Sequence, residues 1–161
     1  MPGDIVGIDV GVLLDGYHAD AAITVPVGAV APGVNLLLKT TKHALTEAVH
    51  KMKPGIRLGV ISETIESIAK AQGFDVVHDL FGHGVGRDLH EDPMIPNFGT
   101  AKTGPILKEG MVLAVEPMLV MGAYAIEVLK DGWTVVTQDR RWSAHEEYTI
   151  AVTKNGYRIL T

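Results

Sequence analysis

The 161-residue sequence predicts an α+β domain, a mixed or antiparallel sheet with helices on one face. Two observations predict it. Helical periodicity occupies two stretches in the first half, and apolar runs broken by two-residue turn signals occupy both ends. The chain is the size of one domain, its 47% apolar content suits a buried core, and no linker, repeat or low-complexity tract divides it. With no cysteine it has neither disulfides nor thiolate metal sites, so any metal must be held by His, Asp and Glu. A reducing cytoplasm fits that composition. No apolar run is long enough for a membrane span. The formal charge of −5 disfavours nucleic acid and anionic membranes as partners, and bound divalent cations would offset part of it.

Residues 1–28 read as a β-hairpin. Asp4 to Leu14 is rich in Val, Ile and Leu, Asp15-Gly16 is a turn signal, and Tyr17 to Val27 runs back. That turn sets Asp9 opposite Ala22 and Gly11 opposite Asp20, so Asp9 and Asp20 become diagonal neighbours on one face. Two carboxylates so close repel unless something positive lies between them, and no Lys or Arg precedes Lys39. A capped turn acid is the alternative for Asp9; a metal ion is the favoured reading.

A helix is expected over roughly Val34 to Met52, burying Leu36, Leu37, Ala44, Leu45, Ala48 and Val49 and ended by Pro54-Gly55. His43 and His50 fall on its solvated side. A second helix, about Val60 to Ala71, buries Ile61, Ile65, Ile68 and Ala69, with Gly73 as its cap. Phe74 to Phe81 is strand-like. From Asp79 to Pro93 the run Gly82-His83-Gly84-Val85-Gly86 and the later His90 read as a shaped loop presenting imidazoles, because glycine weakens helix and strand alike. Met94 to Gly104 reads as a Pro/Gly-rich loop.

Met111 to Val115 is an apolar strand ending in Glu116-Pro117, and an acid there contradicts the strand pattern in the way functional sites do. Ala125 to Leu129 and Trp133 to Thr137 form strands about Asp131-Gly132. Ala144 to Val152 and Gly156 to Leu160 form the last pair. Parity puts Glu147 with His145 and Thr149, opposite Tyr148, Ile150 and Val152, and favours Glu147 over Glu146 as an inward acid. Asp9, Asp20, His83, Glu116 and Glu147 thus supply four carboxylates and one imidazole. Oxygen-rich donors with a single nitrogen suit Mn, Fe, Co or Zn, and four carboxylates balance two divalent ions. Such a pair makes a hydroxide nucleophile and polarises a carbonyl.

The segments Ile8-Asp9-Val10-Gly11, Asp15-Gly16-Tyr17-His18-Ala19-Asp20, Gly82-His83-Gly84-Val85-Gly86-Arg87, Val115-Glu116-Pro117-Met118, Lys130-Asp131-Gly132-Trp133-Thr134-Val135 and Ser143-Ala144-His145-Glu146-Glu147-Tyr148-Thr149 together resemble type I methionine aminopeptidases. The resemblance covers nearly the whole chain. It implies the pita-bread fold, a curved sheet with helices on its outer face, in one metallopeptidase catalytic domain. It also implies removal of the initiator methionine from nascent polypeptides by way of a metal-bridging hydroxide, with the ribosome as a possible neighbour. The metal ligands it implies are Asp9, Asp20, His83, Glu116 and Glu147, holding two divalent ions (Co, Mn, Fe or Zn). His90 is implied to bond the substrate near the scissile carbonyl, Glu116 to shuttle the proton, and Trp133 to lie beside the methionine pocket; an ordinary core Trp is the alternative. Leu89 stands where the family usually has Phe in the pocket wall, which implies looser selectivity, and Tyr148 replaces a common His. Family members carry a segment before the first aspartate, whereas this sequence begins at Met1-Pro2-Gly3. The expectation is therefore an amino-terminally truncated chain with an uncovered apolar face and a tendency to self-associate. A prolidase or Xaa-Pro aminopeptidase of the same fold, and a catalytically silent metal-binding or peptide-binding fragment, are the competing functions.

Overall fold

A computed structural model describes all 161 residues. The hairpin comes first. Strands β1 (Ile5–Asp9) and β4 (Ala21–Pro26) pair antiparallel, with β2 (Val12–Leu14) and β3 (Tyr17–Ala19) forming its tip. Asp15 and Gly16 sit at φ 50° and 79°, the left-handed pair a two-residue hairpin turn demands. That turn fixes the register, so Asp9 lies opposite Ala22 as expected.

Helix α1 runs from Pro32 to His50, two residues ahead of the expected start because proline at the first turn is preset for a helix. Its buried stripe is Val34, Leu37, Leu38, Thr41, Ala44, Leu45, Ala48 and Val49. Leu36 is a correction: it lies off that stripe and is exposed. Helix α2 spans Gly59–Ala71 and buries Ile61, Ile65 and Ala69, while Ile68 is half-buried. Gly73, at φ 77°, follows its end.

The remaining strands are β5 (Asp75–Val76), β6 (Phe81–Gly84), β7 (Glu91–Pro96), β8 (Val112–Val115), β9 (Met118–Val120), β10 (Ile126–Val128), β11 (Val135–Thr137), β12 (Ser143–His145), β13 (Glu147–Thr153) and β14 (Gly156–Ile159). The main sheet has the order β1-β4-β13-β8-β6-β7, with β14 also paired to β13. Its pairings are all antiparallel, which decides between the mixed and antiparallel alternatives. Strands β12, β9 and β5 make a small second sheet, and β10 and β11 a hairpin. The helices cover one face: Leu113, Val115, Ile150 and Val152 join Leu37, Leu45, Ile61 and Ile65 in the main core. Each such side chain contributes roughly 1.5–3 kcal/mol by its burial.

Two expectations fail here for one reason. The glycine run is not a loop, since Phe81–Gly84 is an interior strand, and Met94–Pro96 belongs to its partner β7 rather than to a loop. Glycine is required because the neighbouring backbone approaches closely. A Cβ at Gly82 would lie 2.5 Å from the Ala114 carbonyl oxygen, and one at Gly84 would lie 2.2 Å from that of Asp92. The long strand expected over Phe74 to Phe81 shrinks to Asp75–Val76, after which His78 stacks between Phe98 and Tyr124 at 4.1 and 4.0 Å.

Candidate metal centre

Sheet register collects the acids. Asp9 and Glu147 both lie opposite Ala22, from its two sides. Tyr148 lies opposite Val115, so the next step along the pair sets Glu147 beside Glu116, just beyond the end of β8. One lateral row therefore reads Asp9, Ala22, Glu147, Glu116. Two residues along, a second row reads Asp20, Thr149, Ala114, His83: Thr149 and His83 both face Ala114, and Thr149 is bonded to Asp20. Residues two apart share a face, so both rows project from the same side of the sheet, the side away from the helices. Ala22, Ala114 and Thr149 are small enough to leave room above them.

Asp20, His83 and Glu147 are buried and offer ligand atoms all within 4.8 Å of one another. Glu116 Oε1 lies 3.5 Å from His83 Nε2, and Asp20 Oδ2 lies 3.9 Å from it. Asp9 is exposed at the rim of this group. His90 is also exposed, its ring edge-on to that of His83 with centroids 4.5 Å apart. A cavity of about 440 Å³, lined by His83, His90, Phe81, Glu91, Asp92 and Met94, opens beside them. Leu89 packs over Gly11, where a Cβ would sit 3.5 Å from Leu89 Cδ1 and 3.8 Å from Asp20 Oδ1. Leu89 therefore borders the group.

The electrostatics call for a cation. Burial pushes the Glu147 carboxyl up to about 9, and Glu116, Asp20 and Asp9 push it the same way. Burial and then Asp9 raise Asp20. Glu147 Oε1 is buried without a hydrogen-bond partner. His83 Nδ1 lies 2.9 Å from the Gly84 carbonyl, which can only accept, so Nδ1 carries the proton. In the neutral ring Nε2 then presents its lone pair to carboxylate oxygens. A divalent ion would satisfy that lone pair, the orphaned oxygen and the excess negative charge together. The donor set fits a metal.

A family model described as metallopeptidase family M24 matches residues 1–154. The chain belongs to metallopeptidase family M24. Among its M24 relatives, methionine aminopeptidase 1 of Bacillus subtilis is 48% identical over 159 residues, which cover 99% of this chain and 64% of that protein. The methionine aminopeptidase of Clostridium perfringens is 49% identical with the same coverage. The crystal structure of methionine aminopeptidase from Thermotoga maritima superposes with a TM-score of 0.98 at 48% identity, over 99% of this chain and 64% of that one. The fold is therefore the pita-bread fold. The prolidase of Pyrococcus horikoshii shares it more distantly, with a TM-score of 0.79 at 28% identity. The chain spans about 64% of the length of the curated relatives just named.

Trp133 is not brought to the group. It is 86% exposed on the turn between β10 and β11, which overturns the core alternative, and it does not line the cavity beside His83 and His90. Two residues at the centre carried no assigned role in the sequence: Thr149 bonds Asp20, and His145 approaches Glu116. Glu146 is buried away from the centre, with its Oε1 accepting from the Thr24 N–H at 3.4 Å and Lys42 of α1 among its charged neighbours. Strand parity was the available signal for His145 and Thr149, since both alternate with Glu147. No helix is long and apolar enough to cross a membrane.

Proposed function

We propose that this chain carries the reaction centre of a methionine aminopeptidase, with Asp9, Asp20, His83, Glu116 and Glu147 holding two divalent ions. The observation that supports this most is the pair of adjacent rows that gathers all five side chains on one sheet face. Bound ions would supply a hydroxide at neutral pH and polarise the scissile carbonyl. The remaining work falls to the chain's own groups. Glu116 stands at the end of β8 with one carboxylate oxygen toward His83, placed to take a proton from the attacking water and hand it to the leaving amine. His90, exposed beside His83, is free to donate to the substrate near its scissile bond. Leu89 borders the centre as a pocket wall, and its smaller side chain favours looser selectivity. A nascent polypeptide is the proposed substrate, met in the cytoplasm near the ribosome. The higher identity to methionine aminopeptidases than to the prolidase favours the methionine type.

A second reading, metal binding without turnover, is favoured by the exposure of Trp133 and His90, which leaves the substrate side with few walls. One assay separates the readings. The chain, loaded with Co(II) or Mn(II), is given a Met-Ala peptide and, separately, an Xaa-Pro peptide, with Glu116→Gln as the control. Methionine release that the control loses supports the proposal. Equal release from both proteins removes Glu116 from the chemistry, and stoichiometric metal uptake without release supports the second reading.

A further inference from the structure

Glu116 is approached from two sides. His83 Nε2 lies 3.5 Å from Oε1, and His145 Nε2 lies 3.3 Å from Oε2. His145 Nε2 is shut off from solvent and has no aligned hydrogen bond, so a buried polar atom is left aimed at a carboxylate oxygen. The backbone of His145 is held unusually firmly. Its N–H donates to Thr24 Oγ1 at 2.9 Å, and the same hydroxyl donates back to its carbonyl at 2.6 Å. Pairing of His145 with Met118 on β9 adds a second tether, two residues beyond Glu116. The imidazole is thus mounted on the strand beside Glu116, one row along the same face from Glu147.

We infer that His145 is a positioning residue for Glu116: its Nε2–H donates to Oε2 and holds the carboxylate between two imidazoles, turned toward Glu147. Catalytic hydrogen bonds that are long or poorly aligned in a free enzyme commonly tighten in its substrate complex. Groups that orient a metal-binding carboxylate typically change metal affinity by about 10–100-fold when removed. The inference rests on the metal-centre reading above, and the test keeps the two apart.

Co(II) is titrated into the metal-free full chain and followed by calorimetry and by its visible absorption, which reports ligand geometry without requiring turnover. Wild type is compared with His145→Leu and His145→Ala, which remove the donor, and with His145→Gln, whose amide can replace it. Circular dichroism checks each fold; should His145→Ala unfold, the volume-filling Leu variant decides. The expected result is an affinity about 10–100-fold weaker with an altered spectrum for Leu or Ala, recovery by Gln to within about threefold, and no effect of His145→Leu in a Glu116→Ala background. Wild-type affinity in the Leu variant, a Gln variant as weak as Leu, or an equal loss without Glu116 would each overturn the inference while leaving the metal centre standing. Failure of wild type to bind Co(II) would overturn both.

Discussion

Asp20 and Thr149 exchange two hydrogen bonds. The Asp20 N–H donates to Thr149 Oγ1, and the Thr149 hydroxyl donates to the Asp20 carbonyl, each at 2.8 Å. This clasp replaces the strand pairing that lapses at Asp20, and it frees that carboxylate to face His83 and Glu147. Thr149→Val keeps the shape and deletes both bonds. It should cost roughly 1–3 kcal/mol in denaturant unfolding, since two buried backbone groups lose their partners. Co(II) affinity should fall with it. Unchanged unfolding midpoints would show the clasp to be dispensable.

The metal-free chain should lose stability as pH rises. Glu147, raised from 4.5 to about 9, keeps in the folded state a proton that the unfolded chain releases near 4.5. Its stabilising contribution is complete below that value and disappears as pH climbs through about 9. Each unit inside the window is worth at most about 1.4 kcal/mol, and Asp20 shifts in the same direction. In chelator, melting temperature should fall from pH 5.5 to 8, and Glu147→Gln should flatten the fall while abolishing metal binding. Saturating Mn(II) should reverse it, by favouring the ionised carboxylates. A chelated wild type that gains stability over this range would contradict the assignment.

Gly82→Ala should disrupt the centre from outside the set of acids. The added methyl meets the Ala114 carbonyl at 2.5 Å, Ile95 at 3.2 Å and Glu116 Cγ at 3.3 Å. Strand β6 must shift away from β8, and His83 moves with it. A cost of about 1–3 kcal/mol or more is expected by thermal unfolding, together with loss of metal affinity. Retention of both would mean that the sheet yields more readily than its packing suggests.

The outward side of the first hairpin should drive self-association. Val6, Ile8, Val10 and Ile23 are 44%, 47%, 51% and 42% exposed, and the two helices do not cover them. Sedimentation across a concentration series should show association that Val6→Lys with Ile23→Lys relieves. A monomer at all concentrations would dismiss this proposal.

Some of this was legible along the chain. Asp15-Gly16 fixed a register that put Asp9 opposite Ala22, because a two-residue turn leaves the strands no freedom to slip. Helical spacing gave both helices, and parity gave the face of Glu147. The glycine strand was misread because its conformation is imposed by the backbones of Ala114 and Asp92, which are distant in sequence or across a bulge. The exposure of Trp133 was not legible, because a motif says nothing about what covers a side chain.

Local sequence thus determined which residues alternate, where turns fall and which acids interrupt apolar strands, since these depend on steric preferences over a few residues. Only the tertiary structure decided that β13 lies between β4 and β8. That placement stacks Glu147 and Thr149 between residues more than 30 and more than 120 positions away, and it depends on packing the whole sheet against one helical layer rather than on any local preference.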